Sequence, residues 1–479
     1  MAEGGEYHAP NTAANGNGDS VAHQTSRPSD EQPPLEQVES ILRSRANTPN
    51  PFSRQRTSLD LDDYFTGPRD ILKHSKWPMF MQMHGSILPK MVIPLLILGA
   101  WASCITCVTE LTTVKLSVQS VLLTVTGFVV SLGLSFRNSS AYERYMEGRK
   151  YWAQLILTCQ NLGRVFWLHT KERPESKEKD ILAKLTAMNL LVAFSVSLKH
   201  KLRFEPYTDH EDLKNLVSHL DTFAQQATLE TPETALPSKH NKLRATGEYL
   251  GVSFAASNPR KAIKKAVRPL GNLPLEILSY LATFIDDIIE GGQLTVPMQQ
   301  TLAFNNLAAL NDVLTGTERV LTTPLPIAYA IAISQITWVY VFLLPFQLVG
   351  VLSWVTIPAT VAAGYIILGL LFIGREIENP FGQDVNDLPM ELYCAQIAGE
   401  LDVIASKPKP QPRQWIESLD NKVLWPLSQS GWNVWMHRGE SKLREALSTK
   451  TELGYEDRQP ASKAGTEAKS DATTAVNSV

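Results

Sequence analysis

Three large apolar residues recur at every fourth position in the hydrophobic segment 116–136. Phe128, Leu132 and Phe136 stand at i, i+4 and i+8, so on an α-helix they share one face. Nearer the start of the segment, that face carries hydroxyl side chains at Ser117, Ser120 and Thr124. A polar mouth followed by an apolar constriction suits an ion pore, because a small widening readmits water. The alternative is that this face packs on a neighbouring helix, which is the commoner use of Phe and Leu at this spacing.

The element that must position this face is a helix long enough to cross a membrane. A bilayer core requires roughly 20 apolar helical residues. Four segments meet that length, at 88–108, 116–136, 325–351 and 355–374, and Lys90 is the only charged residue among them. The sequence therefore predicts an all-α, multi-pass membrane protein with four transmembrane helices and a helical cytosolic region.

Lysine and arginine near the ends of these spans predict the orientation, since such residues mark the cytosolic side. Basic residues lie before the first and third spans and after the second and fourth, at Arg69, Lys73, Lys76, Arg137, Arg144, Arg149, Lys150, Arg319 and Arg375. In the two short loops between paired spans, the only basic residue is Lys115. Both termini and the region 137–324 are thus expected in the cytosol. No transit-peptide pattern is present, which favours the plasma membrane over an organelle.

Composition divides the rest of the chain. Residues 1–60 are rich in Asn, Pro, Ser, Gln and Glu and predict a disordered tail, as does most of 406–479. A charged, proline-containing stretch at about 227–272 is interpreted as a loop or insertion within the helical region 137–324. The apolar segment 181–198 contains Lys184 and Asn189, so it is predicted to be a packed cytosolic helix rather than a fifth span.

Composition also excludes some classes of protein. The formal net charge is −3, which argues against a nucleic-acid-binding protein, since those usually carry a strongly basic face. No span carries a cluster of His, Cys, Asp and Glu, so neither an enzyme nor a required cofactor is expected. Cys104 and Cys107 lie in an apolar run without further ligands nearby, and we interpret them as small packing residues.

Three longer segments resemble the bestrophin-like anion channel family. They read FRNSSAYERYMEGRKYWAQLI from Phe136, TTPLPIAYAIAISQITWVYVFLLPFQLVG from Thr322, and REIENPFGQDVNDLPM from Arg375. Their order and separation also fit, and the resemblance covers about 61–405, which we take as the channel domain. The insertion and the long tails suggest a fungal-type member.

The resemblance implies a homopentamer in a lipid bilayer that conducts chloride or other small anions through a central pore. In this family the second span lines a narrow neck of three apolar rings. The Phe-Arg-Asn motif places Phe136 at the inner ring, with Leu132 and Phe128 above it. A second constriction is expected on the cytosolic helix near Met298 to Leu302.

The resemblance also raises calcium as a gating ligand. Animal members bind calcium in an acidic run after Asn-Pro-Phe-Gly, and here Asp384 and Asp387 fall at the two ligand positions. The other acids of that run are missing, and Asn-Asp-Leu-Pro resembles bacterial and plant members, which lack the clasp. The alternative is that these aspartates cap helices or pair with bases.

Two other functions remain open at this stage. A cation-selective channel of the same fold would have the same uncharged neck, so residues 116–136 do not decide the sign of the ion. A non-conducting membrane scaffold would also be helical. It would not need a second span with a polar-to-apolar face.

Overall fold

The computed structural model describes residues 85–114, 116–118, 120–230 and 270–452 of the 479-residue chain. Within these ranges the side chains of Ser120, Leu122, Glu230, Thr451 and Glu452 are not described. The predicted tail 1–60, the chain after 452, and residues 231–269 of the predicted insertion lie outside the described part.

Every regular element in the described ranges is helical. Thirteen α-helices are α1 Leu88–Leu111, α2 Ser120–Arg164, α3 Lys177–Leu202, α4 Lys214–Val217, α5 Phe223–Glu230, α6 Leu273–Glu290, α7 Pro297–Thr322, α8 Ile327–Leu352, α9 Thr356–Glu376, α10 Met390–Ala405, α11 Pro412–Ile416, α12 Trp432–Arg438 and α13 Glu440–Glu452. A π-helical turn, Val165–His169, follows α2, and a 3-10 turn, Ser353–Val355, joins α8 to α9.

The predicted spans correspond to α1, the first part of α2, α8 and α9. Proline in the first turn of α1 is well placed, because the amide hydrogen that it lacks has no partner there. At the end of α8, Ser353 adopts a φ of 47°, which turns the chain into the 3-10 segment and then α9. The last two spans therefore form a tight helical hairpin.

Length and composition mark three stretches of the described chain as able to cross a membrane. They are Leu88–Leu111, Lys177–Leu202 and the 50-residue stretch Ile327–Glu376, which contains both α8 and α9. The first part of α2 is not among them, and it is richer in Ser, Thr and Gly than α1. The number of four spans therefore stays a prediction.

Helix α2 contains 45 residues without interruption, from Ser120 to Arg164. At 1.5 Å per residue it is about 68 Å long, roughly twice the bilayer core. The second hydrophobic segment therefore continues without a break into the charged and aromatic residues that follow Phe136. One helix connects the predicted membrane region to the predicted cytosolic region.

The buried apolar residues form two cores, and α2 contributes to both. The smaller core lies among α1, α2, α8 and α9 and contains Met91, Leu98, Val130, Leu134, Ile333, Val341, Leu368 and Leu371. The larger core joins the second half of α2 to α3, α6, α7 and α10, with Trp152, Phe166 and Phe194 fully buried. Burial against both cores holds α2 in place along most of its length.

Helix α3 is apolar enough to span a membrane but is packed within the protein. Of the 18 residues in its most apolar segment, 61% are buried, against 28% in α1 and in the α8–α9 stretch. The ammonium of Lys184 is buried and donates to the Thr170 carbonyl at 2.7 Å and to Glu172 at 3.2 Å. This packing favours the predicted cytosolic helix over a fifth span.

The predicted C-terminal tail is ordered in its first part. Helices α11, α12 and α13 lie between Pro412 and Glu452, so the prediction of a largely disordered segment from 406 was wrong for these residues. One tryptophan of this segment is packed inside it. Trp435 is buried, and the guanidinium of Arg438 lies 4.4 Å from the centre of its ring.

Candidate functional site

The three predicted neck residues lie on one exposed face of α2. Phe128, Leu132 and Phe136 are 71%, 47% and 59% exposed in the single chain. Val121, Val125 and Val129 extend this apolar surface and are also exposed. Six large apolar residues on one side of a helix are therefore left for lipid, a pore or another copy of the chain. We call this set, from Val121 to Phe136, the α2 apolar face.

Of the predicted mouth residues, Ser120 and Thr124 lie in the first turns of the same helix, and Ser117 lies in the segment that precedes it. Ser117 and Thr124 are exposed, and the side chain of Ser120 lies outside the described residues. The chain before α2 is fixed to α8, because the Val118 amide donates to the Phe346 carbonyl at 3.1 Å. The structure brings the described hydroxyls near the N-terminal end of the apolar face but does not by itself reveal a pore.

The opposite face of α2 packs closely on α8. Val130 and Leu134 are buried there in the smaller core, beside Ile333. At Gly127 the two helices approach so closely that an added Cβ would lie 2.9 Å from the hydroxyl oxygen of Tyr340. The apolar face is thus exposed because α8 occupies the other side of the helix.

Two arginines fix α2 where it leaves the apolar region. Arg137 is buried, and its guanidinium lies 3.5 Å from the Glu378 carboxylate. Arg144, two turns further on, donates to the Val320 carbonyl at 2.6 Å, to the Glu378 carbonyl at 3.1 Å and to the Thr323 carbonyl. A planar guanidinium with five N–H donors suits such multiple binding. Arg144 therefore connects α2 to the end of α7 and to the segment after α9.

The acidic segment after α9 makes internal contacts. The Lys90 ammonium lies 3.3 Å from Asp384 and 3.2 Å from Glu376, while the Asp387 carboxylate accepts the Asp384 amide at 2.7 Å. The Lys90 pair matches the alternative of a base partner for Asp384, while the Asp387 carboxylate closes a turn rather than capping a helix. Calcium binding by these two aspartates stays a prediction.

The predicted second constriction lies at the start of α7. Met298 and Leu302 are separated by one turn, and both are exposed, at 77% and 41%. The helix begins with Pro297 in its first turn and packs on α2 and α6 further along. Helix α7, which packs against α2, thus also presents two exposed apolar residues.

The profile of the family described as "Bacterial/Fungal Bestrophin protein" matches residues 69–249 and 252–403. The chain belongs to the bestrophin family. The match spans both predicted membrane pairs and the helical region between them. It confirms the family that the three sequence segments indicated, and the all-helical fold of the described residues agrees with it.

Two cyanobacterial relatives carry the name voltage-dependent anion channel-forming protein. The one from Synechocystis is 30% identical over 330 residues, which cover 69% of this chain and 92% of that protein. The one from Nostoc is 33% identical over 283 residues, which cover 58% of this chain and 75% of that protein. This bestrophin is therefore similar to anion channels rather than to any enzyme.

Among solved structures, the chain is similar to a variant of a bacterial bestrophin homolog from Klebsiella pneumoniae. The two are 26% identical with a TM-score of 0.50, and the match covers 68% of this chain and all of that one. The structural similarity therefore extends over the whole bacterial chain. Residues 1–68 and 404–479 lie outside the family match.

Sequence reasoning used Arg137 and Arg144 only as charges that orient the spans. The structure gives both a positioning role at the C-terminal end of the α2 apolar face. Their separation of seven residues places them on one side of a helix, and this spacing was the available signal. The carbonyl partners of Arg144 belong to segments more than 170 residues away, so no local pattern indicates them.

Proposed function

We propose that this bestrophin is an anion channel whose pore is lined by α2 of five copies of the chain. The observation that carries the proposal is the α2 apolar face, on which Phe128, Leu132 and Phe136 stand one turn apart and exposed. In a ring of copies they would form three stacked apolar constrictions. The names of the cyanobacterial relatives support anions as the permeating species.

The character of α2 supports its choice as the pore helix. A helix surrounded by lipid needs only apolar side chains, whereas α2 carries Thr124 on its exposed side and is preceded by the exposed Ser117. No charged residue lies between 116 and 136, so conduction would be controlled by wetting of the neck rather than by fixed charge. The positive edges of the Phe rings give a weak favourable contact to an anion.

A central pore requires several copies, and the single chain leaves surface for them. The α2 apolar face includes three valines besides the neck residues, more than a narrow pore lining alone would use. In an oligomer the surplus would contact the neighbouring copy. Arg137 and Arg144 would hold each α2 at a fixed angle where the pore meets the cytosol, with both termini on that side and the plasma membrane as the location.

The first test is a planar-bilayer recording of purified protein under a KCl gradient. A reversal potential near the chloride equilibrium potential supports the proposal. Reversal near the potassium equilibrium potential would keep the pore but assign it to cations. No current from folded protein would overturn the proposal of a channel. The particle mass in a mild detergent, relative to the 53.2 kDa chain, tests the pentamer.

The neck is tested by Leu132→Ala, with Leu96→Ala as the matched control. Both remove the same side chain from an exposed position on a predicted span, but Leu96 lies on α1. We expect Leu132→Ala to change conductance or open probability severalfold, because a wider apolar ring is easier to wet. Equal effects of both variants would show that α2 has no special place in conduction.

A further inference from the structure

A cluster of histidine and acidic side chains lies where α3 ends, outside the proposed pore. The buried imidazole of His200 contacts two carboxylates, with Nδ1 2.7 Å from Glu205 and Nε2 2.9 Å from Asp212. The ring of His210 stacks on that of His200 with centroids 4.0 Å apart. One ligand atom from each of His200, Glu205 and His210 lies within 4.8 Å of the other two.

The backbone after α3 brings these groups together. Phe204 adopts a φ of 61°, a conformation that a bulky residue rarely adopts. It folds the chain back so that the Glu205 amide donates to the His200 carbonyl at 2.9 Å. Such strain is found where the surrounding structure requires a particular side-chain position. Here it places the Glu205 carboxylate beside Nδ1 of His200.

Asp212 provides the support that a metal-binding histidine usually has. It accepts from His200 Nε2 and also pairs with the ammonium of Lys199. A carboxylate on the second ring nitrogen fixes the tautomer and orientation of the imidazole, leaving the first nitrogen to bind metal. With Lys199 neutralising Asp212, the remaining negative charge at the site is that of Glu205.

We propose that His200 Nδ1, Glu205 and His210 bind a divalent metal ion of the zinc class. Two imidazoles and one carboxylate are a common ligand set for zinc, with the fourth position left to water. Ligand atoms around a tetrahedral zinc ion are about 3.3 Å apart. Here they lie up to 4.8 Å apart, so binding needs a movement of roughly 1–1.5 Å. His210 must also turn out of its stack, which its partial exposure permits. Binding displaces the Nδ1 proton of His200 to solvent.

The site is connected to the membrane-proximal segment. The second oxygen of Glu205 accepts from the side chain of Gln383 at 3.0 Å, and the next residue, Asp384, pairs with Lys90 at the start of α1. A metal that fixes Glu205 would therefore also fix Gln383. The site does not depend on the proposed pore, since it is formed by one chain and lies on a different helix.

The test is zinc binding to the full-length protein, purified without a histidine tag. Isothermal titration calorimetry with ZnCl₂ at about pH 7.5 should show one high-affinity ion per chain, and weaker binding at about pH 5.5, where protons compete for the imidazoles. We expect Glu205→Gln and His210→Ala each to raise the Kd by about 100-fold, and Asp212→Asn to raise it by about 10- to 100-fold at unchanged stoichiometry.

The matched control is His219→Ala, an exposed histidine on the same segment but outside the cluster. It should bind zinc as the wild type does, because it leaves His200, Glu205 and His210 unchanged. Equal zinc binding by wild type and the Glu205→Gln/His210→Ala double variant would overturn the proposal. So would the absence of high-affinity zinc binding to folded wild type, since the cluster would then be an ion-pair network only. Neither result depends on whether the protein conducts ions.

Discussion

Gly127 and Tyr340 define the closest approach between α2 and α8. A Cβ at Gly127 would lie 2.9 Å from the Tyr340 hydroxyl oxygen and 3.2 Å from two ring carbons. Glycine is therefore required for close packing rather than for an unusual backbone conformation. Because Phe128 follows directly, the contact also fixes how the α2 apolar face is turned.

The first prediction concerns this contact. Gly127→Ala should lower the free energy of unfolding by about 1–3 kcal/mol, as overpacked cores do. Adding Tyr340→Phe should recover part of the loss, since it removes the nearest atom. The effect is measured from thermal unfolding midpoints of the detergent-solubilised protein.

Gly133→Ala is the control for this prediction, because it lies on the same helix. Its added Cβ would be 3.6 Å from Ile333, an ordinary contact. Alanine there should be neutral or should stabilise the helix by about 0.5–1 kcal/mol. If both glycine variants lose equal stability, close packing at Tyr340 does not explain the need for glycine.

The second prediction concerns the acid stability of the larger core. Asp180, in the first turn of α3, is buried and accepts from the Arg173 side chain and amide, each at 2.7 Å. The hydrogen bond from the Arg173 side chain is the main reason that the pKa of Asp180 falls from 3.8 to about 2. A lowered pKa in the folded state stabilises the protein above pH 3.8, and that contribution is lost as the pH falls toward 2.

Asp180→Asn should therefore be less stable than wild type at neutral pH, and this difference should shrink on acidification below about pH 4. Unfolding midpoints measured in steps between about pH 6 and about pH 2 test this. Asp209→Asn is the control, because Asp209 pairs with Lys214 at the surface and exposed pairs contribute little. A difference for Asp180→Asn that stays constant with pH would contradict the prediction.

The third prediction concerns the side of the membrane on which α3 lies. Asn189 is exposed on α3, so Asn189→Cys should react with a membrane-impermeant maleimide added from the cytosolic side only. The native Cys159 and Cys394 should remain unlabelled. Both are buried, and burial raises the pKa of each thiol, that of Cys394 to about 12.

Ile366→Cys on α9 is the control, since Ile366 is 63% exposed on a predicted span and should be shielded by lipid from both sides. Labelling is compared in right-side-out and inside-out vesicles. Reaction of Asn189→Cys from the outer side would reverse the predicted orientation, and no reaction from either side would make α3 a membrane helix.

Local patterns in the sequence were enough to predict the most apolar helices and to propose a candidate pore face. Runs of apolar residues predicted the bounds of α1, α8 and α9 to within a few residues, because a helix that crosses the bilayer core needs a minimum length of apolar sequence. The four-residue spacing of Phe128, Leu132 and Phe136 placed them on one face, since helical periodicity depends only on position in the chain. The composition of 406–479 misled for 412–452, because an average over a long segment does not show short helices within it.

The tertiary structure decided which side of each helix has a partner. Val130 is buried while Val129 beside it is exposed, because α8 covers one side of α2 and not the other. The contacts of Arg144 with Val320 and of Gln383 with Glu205 join segments more than 170 residues apart. So does the approach of Tyr340 to Gly127. The sequence determines which residues share a helix face, but contacts between distant segments exist only once the chain has folded, because they depend on how whole helices pack.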